Sequence, residues 1–382
     1  MKRYNKYIAT IVYLMASLSL ISCGKDGDQP LKDVQQDYTA PLSFRSDPEN
    51  GMFTKGGTPV TDASLRTSHM GLYAYWTPTG DYFSGGDPTY LYLKNREVIY
   101  SNTEGGIDYW VCTPTAYWPL GANLTFFGYA PYMANHTEVL DFPLAGSGMP
   151  RGHFRQRTAV DNQMDLCLSA PVYDTPRDIE TVDLSLSHAL TKVLFYFNLS
   201  SGKYDGGGTA FMIKSMTLSE VVGENTFTFG GSTGYTWDNL PRSDLSSRTA
   251  SYTLSIADGT LSYTPLPYAE DRESETGLDK FECVNGEDAG VLYLLPQPMT
   301  GISKVTVVVS AYNWNAVDSE WIEDENGQMD PIEIYLPEMT VWKKGKTVAY
   351  SASVNASIPV TFSVTMLDWE MTTIEDVGFN HS

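Results

Sequence analysis

The sequence predicts an all-β chain folded as two tandem β-sandwiches behind a removable leader. Three observations carry that reading. The composition is aromatic and rich in turn formers, with 25 Tyr, 15 Phe and 8 Trp beside 32 Gly and 21 Pro, the mixture that pleated, half-buried strands and frequent tight turns require. Period-two alternation recurs in short runs, as in Met70-Gly71-Leu72-Tyr73-Ala74-Tyr75-Trp76, where Met70, Leu72, Ala74 and Trp76 share one face. No stretch sustains a 3.6-residue apolar stripe beyond a turn or two, and no repeat of about 20 to 50 residues stands out.

The elements begin with the leader, residues 1–22. Met1-Lys2-Arg3-Tyr4-Asn5-Lys6 is basic, an apolar run from Tyr7 to Ile21 follows, and Ser22-Cys23 closes it, the order of a secretory signal. The apolar part is shorter and more one-sided than the about 20 residues that a spanning helix needs, so the segment is expected to be removed. Leu20-Ile21-Ser22-Cys23 resembles a bacterial lipobox, which makes Cys23 the expected lipidation site; a plain secretion signal with an incidental cysteine is the alternative. Two or three acyl chains, at about 0.8 kcal/mol per buried CH₂, hold a protein on a membrane without a transmembrane helix. Residues 23–40 are polar and without apolar periodicity, and read as a flexible tether.

Residues 41–178 form the first predicted sandwich. After the Met70 strand, further strands are expected over 90–93, 97–100, 109–118 and 124–132, broken by turn clusters such as Thr103-Glu104-Gly105-Gly106. Between Leu140 and Asn162 the pattern dissolves into Pro, Gly and Arg, and Arg151-Gly152-His153-Phe154-Arg155-Gln156-Arg157 reads as part of a long exposed basic loop. Strand signals resume over 164–170. A seam of turn formers at Asp174-Thr175-Pro176-Arg177-Asp178 sets the boundary to the second sandwich, residues 179–382. Its strands are expected over 182–186, 193–199, 211–222, 252–256, 291–295, 304–312 and 346–354. A closing strand over 360–367 sets Val360, Phe362, Val364 and Met366 on one side and Thr361, Ser363 and Thr365 on the other.

Composition and motifs exclude several functions. Removing the leader takes away three of 25 basic residues, leaving 22 against 46 acidic, a net charge of −24. Such a chain repels phosphate backbones and anionic lipid surfaces, which argues against nucleic-acid binding. With Cys23 given to lipid, Cys112, Cys167 and Cys283 remain, an odd and widely spaced set with no CxxC metal pattern. One disulfide is compatible with an oxidising envelope, and buried free thiols are the expected state for at least one of the three. The five histidines stand at no metal-ligand spacing, and His188 in Ser187-His188-Ala189-Leu190 reads as a hydrogen-bonded packing residue. Gly230-Gly231-Ser232-Thr233-Gly234 matches G-x-S-x-G, yet Tyr235-Thr236-Trp237-Asp238 does not open the helix that a nucleophile elbow needs, so a glycine-rich hairpin turn is expected. No catalytic residue, metal ligand or cofactor is assigned. Tyr73, Tyr75, Trp76, Tyr82, Tyr90 and Tyr92 are expected in the core, with a sugar-stacking platform as the rival reading.

Several segments together resemble the fimbrillin family of Mfa-like and FimA-like lipoprotein pilins and accessory subunits. They are Phe53-Thr54-Lys55-Gly56 with Pro59-Val60, Tyr117-Trp118-Pro119 leading into Leu124-Thr125-Phe126-Phe127-Gly128-Tyr129-Ala130-Pro131, Leu184-Ser185-Leu186-Ser187-His188-Ala189-Leu190-Thr191-Lys192, Leu294-Leu295-Pro296-Gln297, Trp342-Lys343-Lys344-Gly345 and Leu367-Asp368-Trp369-Glu370. The resemblance implies transthyretin-like sandwiches, an outer-membrane lipoprotein exposed on the surface, and a fimbrium of self or paralogous subunits that supports adhesion to surface glycans or proteins. It also implies assembly by strand exchange, in which cleavage after a basic residue removes the N-terminal strand and a neighbour's strand fills the groove. Arg45 is the expected cut and Arg66 the alternative; the donor strand is expected within 346–367, with Val360, Phe362, Val364 and Met366 as its apolar side. A monomeric, surface glycan-binding lipoprotein is the competing expectation.

Overall fold

Alternation decides which face of each strand is buried, and several strands of this chain are buried on both. The computed structural model describes residues 36–46, 62–77, 90–105, 107–134, 140–141, 150–200, 208–230, 234–239, 248–268, 278–286, 290–354 and 360–369. Cys23, the leader and the tether up to residue 35 lie outside them. The chain is all-β, as the sequence predicts, with one short α-helix, Asp62–Ser68, among the described residues.

The first sheet has nine strands among the described residues. Its order runs Val182–Asp183, Ser43–Ser46, Ile107–Thr113, Tyr90–Glu104, Met70–Thr77, Asn123–Ala130, Cys167–Ser169 and Leu186–His188, with Val172–Thr175 also on Asn123–Ala130. Met70, Leu72 and Ala74 enter one core together with Phe44, Trp110, Phe126, Val182 and Leu186. Residues from both ends of the strand order share that core, so the sheet folds over itself. Tyr73 and Tyr75 enter a second core on the other face with Phe127, Tyr129, Phe154 and Phe227. These tyrosines are interior residues, and burial pushes the Tyr75 hydroxyl up to about 12. Gly71 precedes them on the same face, and a Cβ there would lie 2.0 Å from the Tyr129 ring.

Two further sheets enclose the third core. Thr191–Leu199 runs parallel to Lys346–Val354 along its whole length, and the pair carries Ser363–Asp368 on one flank and Glu282–Cys283 with Leu292–Leu294 on the other. The facing sheet is Thr249–Ser255, Thr209–Val222, Lys304–Asn315 and Glu320–Glu323, with Ile332–Tyr335 also on Lys304–Asn315. Val193, Phe195, Phe197, Val348 and Tyr350 fill the space between these sheets. Leu194, Tyr196 and Ala349 face the second core instead. A central strand covered on both sides needs a continuous apolar run, and residues 193–197 supply it within the wholly buried Thr191–Leu199.

Hydrogen bonding crosses the position where the sequence divides. Val182–Asp183 and Leu186–His188 pair with strands of the first sheet, and Arg151–Arg155 pairs with Glu224–Phe229 in a four-stranded sheet that also holds Leu140–Asp141 and Tyr235–Trp237. The long exposed loop expected before Asn162 is therefore corrected in part. Gly152, Phe154 and Gln156 are buried while Arg151, Arg155 and Arg157 are exposed, a period-two strand in which arginines supply the outer face. Gln156 is held by its own side chain, donating to the carbonyls of Met164 and Tyr293 at 2.8 and 2.6 Å. Cys112, Cys167 and Cys283 are free thiols. Burial pushes Cys112 up to about 12, Cys283 up to about 11 and Cys167 well above its ordinary value, so none is a poised nucleophile.

Candidate assembly site

The first described strand, Gln36–Pro41, pairs with Tyr117–Pro119, and Tyr38 sets its ring against Tyr117 at 5.3 Å between centroids. Asp37 forms an ion pair with Arg177. The chain then turns inward, the Leu42 amide donating to the Ala116 carbonyl at 2.8 Å. Ser43–Ser46 is inserted between two neighbours, antiparallel to Ile107–Thr113 and parallel to Val182–Asp183. Leu42 and Phe44 are fully buried, and Phe44 meets Phe126 edge-on at 5.5 Å. Ser43 donates from its hydroxyl to the Glu180 carbonyl at 2.7 Å, and the Leu184 amide donates to the Arg45 carbonyl at 3.1 Å. Without this segment, two strand edges would lose their partners and the core would lose two large side chains.

Arg45 projects on the outer side of that strand. Its guanidinium forks onto Asp183, with Nη2 donating to Oδ2 at 3.0 Å, and both side chains are largely exposed, 43% and 67%. Arg66 has a different setting. It sits in Asp62–Ser68, one position after the buried Leu65, and donates from Nε and Nη2 to the two oxygens of Asp108 at 2.8 Å each. Asp108 is buried and also accepts from the Thr103 hydroxyl at 2.6 Å. The Arg66 guanidinium lies 5.1 Å from the centre of the Tyr100 ring. A protease groove reads an extended backbone by strand addition. Arg45 lies in extended chain one residue from the strand end, and Arg66 in a helix.

Towards the other end, Ser363–Asp368 pairs antiparallel with Lys346–Val354 and is the last strand of its sheet among the described residues. Phe362 is buried against Tyr350, Phe195 and Phe197, with ring centroids 5.3, 5.7 and 6.0 Å away. Val360 and Val364 pack partly on the same core. The expected apolar face ends there, because Met366 is 42% exposed at the sheet margin. The opposite parity takes over: Leu367 packs on the second core and Trp369 is buried in it. Trp369 stacks on His188 at 4.2 Å and on Tyr293 at 5.7 Å. In the sequence Trp369 figures only in the resembling segment Leu367-Asp368-Trp369-Glu370, with no place in the core, although it follows the closing strand directly and alternates in register with Leu367.

The remaining expectations distribute as follows. The Gly230 amide donates to the Gly234 carbonyl at 2.8 Å, joining Glu224–Phe229 to Tyr235–Trp237 as a hairpin; Ser232 lies outside the described residues. Tyr73 and Tyr75 are buried, Trp76 and Tyr92 half-buried. Tyr82 and the Tyr90 side chain lie outside the described residues.

The model of the fimbrillin-like family matches residues 58–369. No curated protein matches the sequence. Among solved structures, a fimbrial protein from Bacteroides vulgatus ATCC 8482 shares the fold with a TM-score of 0.57 at 19% identity, over 84% of this chain and 98% of that one. A proposed cell adhesion protein from Bacteroides uniformis ATCC 8492 aligns with a TM-score of 0.45 at 13% identity, over 87% of this chain and 100% of that one. The tip fimbrial protein Mfa3 from Porphyromonas gingivalis aligns over 86% of this chain and 99% of its own, with a TM-score of 0.29 at 9% identity.

Proposed function

The chain belongs to the fimbrillin-like family, and on that premise we propose that it is a subunit of a cell-surface fimbrium, delivered as an outer-membrane lipoprotein on Cys23 and assembled by strand exchange. The observation that carries this reading is the inserted segment ending at Arg45. Ser43–Ser46 completes a sheet between two other strands and contributes Phe44 to its core. A cut after Arg45 detaches everything N-terminal to Ser46, and the slot left behind presents unpaired backbone groups along Ile107–Thr113 with an apolar hole at its centre. Exposed edges of that kind recruit an alternating strand from another chain. The 360–367 region of a neighbouring subunit, with Val360, Phe362, Val364 and Met366, supplies such a strand. Arg66 is the weaker cut, being helical and tied to a buried carboxylate.

In this reading the protein acts by binding and not by catalysis, and needs no cofactor. Its partners are other fimbrial subunits, the outer membrane through the lipid, and the surface glycans or proteins to which a fimbrium adheres. The monomeric glycan-binding alternative is weakened at Tyr73 and Tyr75, which are core residues and so cannot stack on a sugar. The test is the N-terminus of material sheared from cells, read by mass spectrometry beside its electrophoretic ladder. A start at Ser46 in heat-sensitive, detergent-resistant ladders is expected, with Arg45→Ala leaving an acylated, unpolymerised chain. A surface population that begins wholly at acylated Cys23 and never forms ladders overturns the proposal.

A further inference from the structure

Asp165, Cys167 and His188 converge where the first sheet meets the second core. Asp165 and Cys167 are two residues apart, and His188 is the register partner of Cys167 on the adjacent antiparallel strand. All three side chains are buried. Both Asp165 oxygens approach one nitrogen of His188, with Oδ1 and Oδ2 at 3.0 and 2.9 Å from Nδ1. The Cys167 sulfur approaches that same Nδ1 at 3.5 Å. The donor atoms of the three residues all lie within 4.8 Å of one another.

A catalytic relay does not look like this. In a nucleophile–base–orienter arrangement the thiol and the carboxylate occupy different ring nitrogens, so that one receives a proton while the other holds the ring. Here both face Nδ1. A dication at the point of convergence serves all three donors at once. Its charge also balances one carboxylate and one thiolate, which burial would otherwise leave uncompensated.

We propose that Asp165, Cys167 and His188 form a structural binding site for a thiophilic divalent cation, zinc by preference, with Trp369 stacked over the histidine as its lid. Softness favours zinc or a similar metal, because thiolate, imidazole and carboxylate together suit it better than calcium or magnesium. The geometry is close. Tetrahedral zinc with ordinary Zn–N and Zn–S bonds sets nitrogen and sulfur about 3.6 Å apart, and nitrogen and carboxylate oxygen about 3.4 Å apart. The first spacing is already met, and a small side-chain rotation of Asp165 meets the second. The fourth position falls to a water or another small donor. Zinc here ties the Cys167 and Leu186–His188 strands to the C-terminal segment through the ring of Trp369, which touches His188 and Tyr293.

The experiment is metal loading of the full chain in detergent, by equilibrium dialysis of the native protein and by refolding with zinc or cobalt(II), each followed by elemental analysis. One equivalent per chain is expected, and the cobalt form should show a near-ultraviolet thiolate-to-metal band with tetrahedral visible absorption. Cys167→Ser should abolish the thiolate band and weaken zinc binding at least tenfold, as should His188→Gln. Cys112→Ser and Cys283→Ser should keep both signals, and near-ultraviolet circular dichroism should show that every variant is folded. Folded wild-type protein that takes up no metal by either route overturns the proposal, and so does uptake that survives both Cys167→Ser and His188→Gln.

Discussion

Two strands near the opposite ends of the described residues are held in opposite ways. Ser43–Ser46 lies between two partners, one antiparallel and one parallel, and sets Phe44 in a core that also contains Trp110, Trp118 and Phe126. Among the described residues Ser363–Asp368 pairs on one side only, at a sheet edge, and is fixed by a side chain at each end, Phe362 in one core and Trp369 in another. An inserted strand cannot leave without exposing two edges and a hole. An edge strand leaves after surrendering one ladder and two plugs. The difference gives each terminus a role in assembly: the first must be cut away to open a slot, whereas the second can be exchanged as it stands.

The comparison breaks first on stability. Phe44→Ala should cost about 4–5 kcal/mol, the upper part of the range for truncating a buried aromatic, because walls fixed on both sides cannot close on the cavity. Phe362→Ala should cost about 3 kcal/mol, since an edge strand can settle inward and recover part of the loss. Urea unfolding of both variants measures this through the midpoint at unchanged slope. Equal costs, or the reverse order, would mean that the inserted strand is no better held than the edge strand.

A second contrast separates the two arginines. Arg66→Ala strands the buried Asp108 carboxylate with the Thr103 hydroxyl as its remaining side-chain donor among the described bonds. Breaking a buried pair from one side costs about 3–5 kcal/mol. Arg66 is itself 39% exposed, so the expected loss is smaller, about 2 kcal/mol, and Asp108→Asn in the same background should recover part of it. The measurement is the same unfolding series, run as a double-mutant cycle. An Arg66→Ala chain as stable as the parent would return Arg66 to the status of an ordinary surface arginine, and with it the case for Arg66 as a processing site.

Much of this arrangement was legible in the sequence, where the signal was local. Lys346–Val354 was predicted to the residue, and the shared face of Met70, Leu72 and Ala74 is the one observed, because alternation over seven or more residues needs no information from elsewhere in the chain. Arg151–Arg155 was missed because arginine replaced the usual polar residues on its outer face and glycine, not a branched side chain, stood beneath Phe227. The apolar side of the last strand was overextended to Met366, since parity alone cannot say where a facing sheet stops. The convergence of Asp165, Cys167 and His188 was invisible to spacing along the chain. It exists because antiparallel register sets His188 opposite Cys167, and register is decided by partners far apart in sequence.

The smallest effect on stability is also the sharpest test of what the inserted strand is for. Arg45 and Asp183 are both well exposed, and exposed ion pairs contribute about 0–1 kcal/mol. Arg45→Ala should therefore leave the unfolding midpoint almost unchanged while Phe44 and its hydrogen-bonded neighbours stay in place. If the strand is a removable plug, the same substitution should abolish conversion to a chain starting at Ser46 and stop polymerisation, because the plug then never leaves. Arg45→Lys keeps a basic residue at the cut and separates charge from fork geometry. Processing that continues unchanged in Arg45→Ala would make the strand a permanent part of the sheet and move the assembly surface to the C-terminal edge alone.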